Sequence, residues 1–293
     1  MSEPVTGGRA PFGRRLAEAM ASAGPLCLGV DPHPSLLAAW GLDDTAAGLE
    51  SFSLTALEAS VGADGPRVAA IKPQVALFER HGSAGFAALE RLLAEAQDAG
   101  VLTIADAKRG DIGSTMEGYA SAWLDDSSPL AADAVTLSPY LGYGTLSASI
   151  ERAHAAGRGV FVLALTSNPE GAQVQHAGSS DADGAVARRI VAAAAQDNRR
   201  LAESDSWGPV GLVVGATVAA EAERLGLSLG GLQGPLLAPG YGAQGATAAG
   251  MRAGFAAAWP QVLATSSRGV LRAGPSTEGL ARALEEAREA LRA

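Results

Sequence analysis

The sequence has very little lysine and almost no cysteine, and both shortages narrow what the chain can be. Only two lysines, Lys72 and Lys108, occur among the 22 basic residues, so every other cationic position is arginine. The single cysteine, Cys27, lies in an apolar run, cannot form an internal disulfide and is expected to be a small buried side chain. This composition does not suit a disulfide-stabilised secreted scaffold, and a reducing cytoplasm is the expected location.

The chain also lacks an apolar run long enough to span a bilayer, and its N-terminus lacks the continuous apolar core of a signal peptide. We therefore expect no membrane partner. The formal net charge of -9 argues against broad binding to nucleic acid, so an anionic ligand would need local cations and backbone amides. The four histidines share no ligand spacing with each other or with Cys27, and we expect no metal site.

Eight short apolar or β-branched runs recur along the chain, separated by alanine- and leucine-rich stretches with helical spacing. The runs are Leu26 to Asp31, Val68 to Lys72, Leu102 to Asp106, Ala134 to Ser138, Val160 to Leu165, Val210 to Gly215, Pro235 to Pro239 and Gln261 to Thr265. Apolar strands that alternate with amphipathic helices predict a parallel sheet covered on its outer face. Eight repeats predict a (β/α)8 TIM barrel of the α/β class, and a doubly wound sheet is the alternative.

The barrel is expected to form a single domain over residues 1–293, with an N-terminal helix. Two of its helices are predicted at Phe86 to Ala99 and at Leu280 to Leu291 from their apolar faces. The Gly-, Ser- and Asp-rich piece from Asn168 to Gly184 predicts a long mobile loop after the fifth strand, and Gly240 to Gly250 predicts another after the seventh. Loops of this composition suit a lid over a small ligand.

Both lysines occur where predicted strands end, close to aspartates. Lys108 stands in Asp106-Ala-Lys-Arg-Gly-Asp111, and positions two apart on an extended strand end point to the same side. A compact ammonium can shift its pKa and hand over a proton, which a guanidinium does poorly. The pattern by itself is also compatible with a solvated charged turn. Lys72 ends the neighbouring strand and favours a site of alternating lysines and aspartates at the barrel mouth.

A separate signal for phosphate binding lies near the C-terminus. Leu237 to Gly245 is a strand followed by a glycine-rich loop, and Ala264 to Gly269 is the next strand with its loop. Loops after the seventh and eighth barrel strands frequently bind phosphate through backbone amides and arginine. Each run alone is more typical of a turn, but together they predict a phosphate site that includes Arg268.

Taken together, these motifs resemble the orotidine 5'-phosphate decarboxylase family. The matching features are Asp-x-Lys-x-x-Asp-Ile from Asp106 to Ile112, Asp31 and Lys72 at the ends of the first two strands, Pro-Gly-x-Gly-Ala-Gln from Pro239 to Gln244, and Arg268 after the eighth strand. They follow the family's order over almost the whole chain. The sequence from Asp106 to Thr115 and the chain length are similar to the long-form bacterial (type 2) subgroup.

The resemblance implies a carboxy-lyase that converts orotidine 5'-phosphate to uridine 5'-phosphate and carbon dioxide in de novo pyrimidine synthesis, without a metal or organic cofactor. It also implies a homodimer. The implied catalytic residues are Lys72, Asp106, Lys108 and Asp111, with Lys108 as proton donor to C6. The implied substrate-binding residues are Asp31 at the ribose together with Lys72, Thr115 across the dimer, Ser167 at the pyrimidine edge, and Gln244, Arg268 and the Ser267 amide at the phosphate. Asp111 is implied to reach across the dimer too.

Two other functions are compatible with the same barrel. A related sugar-phosphate decarboxylase or aldolase would use magnesium to stabilise an enediolate, and it would want a carboxylate ligand where this chain has Lys72. A catalytically silent nucleotide-phosphate sensor would keep the barrel and lose turnover. Release of carbon dioxide that is insensitive to a chelator distinguishes the expected decarboxylase from both.

Overall fold

The computed structural model describes residues 8–181, 184–204, 206–243 and 245–293. Eight parallel strands form a closed barrel in which each strand pairs with the next one along the chain and the last pairs with the first. In chain order they are β1 (Leu26–Val30), β2 (Ala70–Pro73), β3 (Leu102–Arg109), β4 (Ala134–Leu137), β5 (Gly159–Leu165), β6 (Val210–Val214), β7 (Leu236–Pro239) and β8 (Val262–Ser266). The barrel prediction is confirmed, and the doubly wound alternative is wrong.

Helices cover the outside of the barrel and close one end. They are α1 (Phe12–Ala23), α2 (Pro34–Ala39), α3 (Ala46–Ala59), α4 (Val75–Glu79), α5 (Gly82–Asp98), α6 (Gly113–Leu124), α7 (Ser147–Ala155), α8 (Ala172–Gln175), α9 (Val186–Leu201), α10 (Ala219–Arg224), α11 (Ala248–Phe255), α12 (Arg268–Leu271) and α13 (Thr277–Arg292). The two helices predicted individually are α5 and α13. Helix α13 begins three residues before the predicted start, because the Ser276 hydroxyl caps it by accepting the Gly279 N–H at 3.1 Å.

The inside of the barrel is filled from its N-terminal end by helix α1. Phe12, Leu16 and Met20 of this helix are buried among inward-facing strand residues. Phe12 packs edge-on against Phe161 of β5, with ring centroids 6.0 Å apart. A Cβ atom on Gly159 would lie 2.1 Å from a Phe12 ring carbon, so only glycine leaves room for this contact. The N-terminal helix therefore completes the core at the end of the barrel away from the strands' carboxyl ends.

Polar contacts fasten α1 to the ends of two strands. Arg15 donates to Asp133 at 2.6 Å and to the Gly157 carbonyl at 2.9 Å. Asp133, which precedes β4, also accepts the backbone N–H of Thr103 in β3 at 2.9 Å and its hydroxyl at 3.1 Å. The carboxylate is thus satisfied on several sides, which is what a mostly buried charge requires.

The loop after β5 contains local structure that its composition does not signal. A 3-10 turn at Pro169–Gly171 leads into α8, at whose end Gln175 folds back on Thr166. The Thr166 N–H donates to Gln175 Oε1 at 2.9 Å, and Gln175 Nε2 donates to the Thr166 hydroxyl at 2.7 Å. Among helices of the described ranges, none has the length and apolar character to cross a membrane.

The loop after β7 is shorter than its composition predicts. Helix α11 begins at Ala248, inside the predicted loop, because the Thr247 hydroxyl accepts the Gly250 N–H at 3.1 Å and caps the helix.

Candidate active site

The carboxyl ends of the strands surround a cavity of about 260 Å³. Six residues predicted for the site line it: Asp31, Lys72, Asp106, Lys108, Ser267 and Arg268. The reason is topological, because parallel strands bring their carboxyl ends to the same face of a barrel. Asp31 directly follows β1, Lys72 lies near the end of β2, and Asp106 lies late in β3.

Asp106 is the centre of the polar network in this cavity. Its Oδ2 accepts from Lys72 Nζ at 2.8 Å and from Gln74 Nε2 at 3.0 Å. Its Oδ1 accepts from Lys108 Nζ at 2.5 Å and from the Thr136 hydroxyl at 3.0 Å. Both carboxylate oxygens are therefore occupied by two donors each, and two of the four donors carry a positive charge. Such charge-assisted bonds are the strong ones in proteins.

The protonation states follow from burial and from these charges. Burial alone raises the pKa of Asp106, but the ammonium charges of Lys72 and Lys108 outweigh it and hold that pKa far below the usual range. Burial alone lowers the pKa of Lys72, but the carboxylates of Asp106 and Asp31 outweigh it and raise that pKa. Asp106 is thus an anion and Lys72 a cation throughout the physiological range.

A second aspartate of the same chain extends the line of alternating charges. Asp31 Oδ1 lies 4.0 Å from Lys72 Nζ, which completes the order Asp31, Lys72, Asp106, Lys108. This oxygen is buried and has no hydrogen-bond partner within the described residues. Asp31 also lines the cavity, and a carboxylate there with an unpartnered oxygen is suited to receive a donor from a ligand.

Lys108 reaches this position through a backbone conformation that the sequence does not reveal. Its φ angle is +49°, in the left-handed region that side-chain-bearing residues rarely adopt. The pairing of β3 with β4 also shifts register between Ala105 and Arg109. The prediction that Asp106 and Lys108 face the same side is confirmed by their contact, but the assumption of a regular strand end is wrong. A bulge aims Lys108 into the mouth.

The opposite side of the cavity is formed by the ends of β7 and β8. Ser267 packs on β1, where a Cβ atom on Gly29 would lie 2.8 Å from the Ser267 Cβ. The Ser267 hydroxyl oxygen is buried and lacks a hydrogen-bond partner among the described residues. Arg268 follows as the exposed first residue of α12, and it makes no ion pair within the described ranges. Gln244, predicted to grip phosphate, lies outside the described residues.

Three predicted site residues lie outside the cavity lining. Asp111 accepts only the N–H of Ile112 at 2.8 Å among the described residues, and Thr115 is exposed in the first turn of α6. Ser167 is exposed just after β5, beside Gly215 at the end of β6. A single chain therefore brings together Lys72, Asp106 and Lys108 but not Asp111.

Sequence reasoning missed two donors to Asp106 and one residue of the cavity wall. Gln74 follows Lys72 by two positions, so the same alternation that linked Asp106 to Lys108 could have found it. Thr136 lies in the middle of an apolar strand, where a lone threonine carries no distinct signal. His33 lines the cavity, although the Asp31-Pro-His-Pro run alone is equally typical of a stiff turn.

Comparison of the sequence with known proteins identifies a family. The family model for "Orotidine 5'-phosphate decarboxylase / HUMPS family" matches residues 24–283. An orotidine 5'-phosphate decarboxylase of Salinispora tropica is 53% identical over 269 residues, covering 92% of this chain and 92% of its own length. The corresponding protein of Streptomyces coelicolor is 52% identical over 270 residues, covering 92% and 93%.

Solved structures agree with the sequence comparison. A Streptomyces avermitilis protein assigned to the orotidine 5'-phosphate decarboxylases superposes with a TM-score of 0.90 at 50% identity, covering 100% of this chain and 98% of its own. The OMP decarboxylase of Leishmania donovani gives a TM-score of 0.71 at 30% identity, with 96% and 99% covered. With the fold, the order of the site residues and near-complete coverage in agreement, the chain belongs to the orotidine 5'-phosphate decarboxylase / HUMPS family.

Proposed function

We propose that this chain is an orotidine 5'-phosphate decarboxylase that releases carbon dioxide and forms uridine 5'-phosphate in pyrimidine biosynthesis. The observation that carries this function is the line of Lys72, Asp106 and Lys108 at the mouth of the barrel. The activity agrees with that of curated relatives at 53% identity over nearly their whole length. Proton transfer and charge stabilisation by these side chains require no cofactor.

The chemistry follows from the charges that face the cavity. Loss of carbon dioxide from C6 leaves a carbanion in the plane of the pyrimidine ring, where the π system cannot delocalise it. A fixed ammonium beside C6 stabilises that charge as it develops, and this preorganised stabilisation is the largest contribution in many enzymes. Lys108 has this role and then protonates C6. Asp106 holds the Lys108 ammonium at 2.5 Å, and the half-exposed lysine still faces the cavity.

The remaining site residues are proposed to bind the rest of the nucleotide. The phosphate is proposed to be held by Arg268, Gln244 and the Ser267 amide. The exposed position of Arg268 at the cavity wall supports this role, because the donors of a guanidinium match the geometry of phosphate oxygens. Asp31 and Lys72 hold the ribose hydroxyls, which is supported by the unpartnered buried Oδ1 of Asp31. Ser167 is proposed to reach the pyrimidine edge from the end of β5.

The magnesium-dependent alternative within the same family is disfavoured by Lys72. Its ammonium is buried at the place where a metal ligand would be needed, and its raised pKa keeps it charged. A divalent cation at that place would be repelled. The silent-sensor alternative has no support in the site, because the proposed proton donor remains in contact with its carboxylate.

We propose that the working enzyme is a homodimer of single-domain barrels comprising residues 1–293, in which Asp111 and Thr115 complete the partner's site. Asp111 and Thr115 lie outside the cavity of their own chain. Near them on the same face, Ile112, Tyr140 and Leu141 expose 60%, 77% and 52% of their surface. Large apolar side chains exposed together are typical of an interface. The single buried cysteine is compatible with a cytoplasmic enzyme.

Subunit mixing tests the shared site. A Lys108→Ala chain and an Asp111→Ala chain should each be inactive, but their heterodimer contains one site with both native residues. After random exchange of subunits, about a quarter of wild-type turnover should return. If Asp111 acts within its own chain, no heterodimer site is complete and mixing restores nothing.

The activity itself is tested with the purified wild-type chain, orotidine 5'-phosphate and EDTA. Loss of the substrate's ultraviolet absorbance, matched by release of carbon dioxide, is the expected result. Activity that EDTA removes and magnesium restores would point to the metal-dependent relatives. Binding of uridine 5'-phosphate without any turnover would point to a sensor.

A further inference from the structure

The bulge in β3 places three residues opposite a single residue of β4. Ala105 pairs with Val135, and the next pair in register is Arg109 with Leu137. Asp106, Ala107 and Lys108 therefore all lie opposite Thr136. In a regular parallel ladder the Lys108 N–H would donate to a carbonyl of the neighbouring strand. Because of the bulge, the N–H of Lys108, the residue with the left-handed backbone, has no such carbonyl partner on β4.

The Thr136 hydroxyl replaces the missing ladder partner. Its Oγ1 accepts the Lys108 N–H at 2.9 Å and donates its own hydrogen to Asp106 Oδ1 at 3.0 Å. The residue is 1% exposed, so solvent cannot take over either hydrogen bond. One hydroxyl thus holds the backbone of the lysine and the carboxylate that orients its ammonium.

The other side of the bulge is also held in place. The Arg109 carbonyl accepts the Ser138 N–H at 2.7 Å, where the ladder resumes. The Arg109 guanidinium pairs with Glu79 and lies 5.5 Å from the centre of the Tyr119 ring. A strained conformation persists only where its surroundings hold it. The backbone N–H of Lys108 itself is held by the Thr136 hydroxyl of β4.

We propose that Thr136 is a positioning residue for decarboxylation, which sets the direction of the Lys108 ammonium through the Lys108 backbone and through Asp106. The inference rests on the proposed function, because it assigns Thr136 a part in the step that Lys108 performs. Thr136 does not line the cavity, so we expect it to act on the substrate only through Lys108 and Asp106. Its removal should therefore change the rate of the chemical step and leave substrate affinity nearly unchanged.

The chain contains a matched control on the same two strands. Thr103 in β3 is 3% exposed, and its hydroxyl also accepts a backbone N–H, that of Asp133 at 3.0 Å. The same hydroxyl lies 3.1 Å from the Asp133 carboxylate. Thr103 thus makes the same pair of bonds between β3 and β4, but at the N-terminal end of the barrel. Removing either hydroxyl leaves a comparable set of buried groups unpaired.

The experiment compares Thr136→Val, Thr136→Ser and Thr103→Val with the wild type in the decarboxylation assay. Valine keeps the shape of threonine and removes the hydroxyl, whereas serine keeps the hydroxyl. A misplacement of about 1 Å in a catalytic group can lower the rate by about a hundredfold. Thr136→Val should lower kcat by roughly 10-fold to 100-fold with KM within about twofold. Thr136→Ser should recover most of kcat, and Thr103→Val should keep it.

Equal kcat for Thr136→Val and wild type would overturn the inference while the proposed function stands. An inactive wild type would instead overturn the proposed function. An equal loss of kcat in Thr103→Val would reduce Thr136 to a purely structural role. If Thr136→Val fails to fold, Thr136→Ser and Thr136→Cys still test whether kcat follows the strength of the hydrogen bonds made by the side chain at this position. A crystal structure of the valine variant should show Lys108 outside the left-handed region, and an unchanged Lys108 would contradict the proposal.

Discussion

The two ends of strands β3 and β4 each carry a mostly buried aspartate, and the two aspartates have different surroundings. At the N-terminal end, Asp133 is held by Arg15 and by Thr103, both of which are fixed in packed structure. At the carboxyl end, Asp106 is held by Lys72, by Lys108 and by neutral donors around an open cavity. The strand register is regular at the first end and bulged at the second.

The difference separates a carboxylate held in packed structure from one that we propose takes part in chemistry. The charge on Asp133 is met by a guanidinium, which stays protonated and suits a permanent ion pair. The charge on Asp106 is met by two ammonium groups, one of which is half exposed on a strained backbone. Strain and a proton-bearing partner that faces a cavity are features of functional sites. Burial of a charge alone does not distinguish the two ends.

The largest effect that should separate the two ends is on turnover. Lys108→Ala should lower kcat by at least about 1000-fold, because it removes both the proposed stabilising charge and the proposed proton donor. Its stability should stay within about 1 kcal/mol of wild type, since the side chain is half exposed. Steady-state kinetics and urea unfolding measure both quantities. Substantial turnover in Lys108→Ala would remove the assigned role from this residue.

The next largest effect should be a stability difference that depends on pH. Asp106→Asn should lower the free energy of unfolding by about 3 kcal/mol near neutral pH, because Lys72 loses its main partner. The folded pKa of Asp106 is depressed, so its contribution is present above the unfolded pKa of about 4 and is lost as pH falls through the folded pKa. The gap between wild type and variant should therefore shrink below about pH 4.

Lys72 sets the alkaline side of the same experiment. Its folded pKa is raised, so its contribution is complete below the unfolded pKa of about 10.4 and is lost as pH rises through the folded value. Urea unfolding of wild type and Asp106→Asn at about one-unit steps from pH 3 to pH 10 traces the gap, which should shrink on the acid side and show no loss of the Lys72 contribution up to pH 10. A gap independent of pH would mean that the Lys72–Asp106 pair does not stabilise the fold.

A smaller effect is expected at the phosphate side of the cavity. Arg268→Ala should weaken binding of uridine 5'-phosphate by roughly 10-fold to 100-fold, as expected for loss of charge-assisted hydrogen bonds. Binding of uridine, which lacks the phosphate, should not change. Calorimetric titration of both ligands provides the comparison, and equal losses for the two would place Arg268 outside the phosphate site.

The smallest effect is expected at the closed end of the barrel. Arg15→Met should destabilise the protein by about 1 kcal/mol, because Asp133 loses a charged donor that is partly screened by solvent but keeps both bonds from Thr103. The turnover of the folded variant should equal that of wild type. A loss of kcat in Arg15→Met, measured well below its melting temperature, would show that the two ends are coupled.

The barrel and much of the site could be predicted from the sequence because both follow from local patterns. Apolar runs identified the strands, and Asp31, Lys72 and Asp106 were located by their positions at strand ends. The bulge could not be predicted, because the left-handed Lys108 is set by contacts with β4 and with neighbouring helices. Thr136 was missed for the same reason, since its role depends on register. Asp111 lies outside the cavity of its own chain, and its proposed place in a partner's site would depend on a second chain, which no pattern within one chain encodes.

Cys27 has a practical consequence for following loop motion. It is fully buried in β1, and burial raises the pKa of its thiol to about 12. A thiol in that state does not react with maleimide or iodoacetamide dyes at neutral pH. A cysteine introduced at exposed Ser179, in the segment after β5, would therefore be the only labelled position in the native protein. Fluorescence from that position would report movement of the segment on nucleotide binding without any need to remove the natural cysteine.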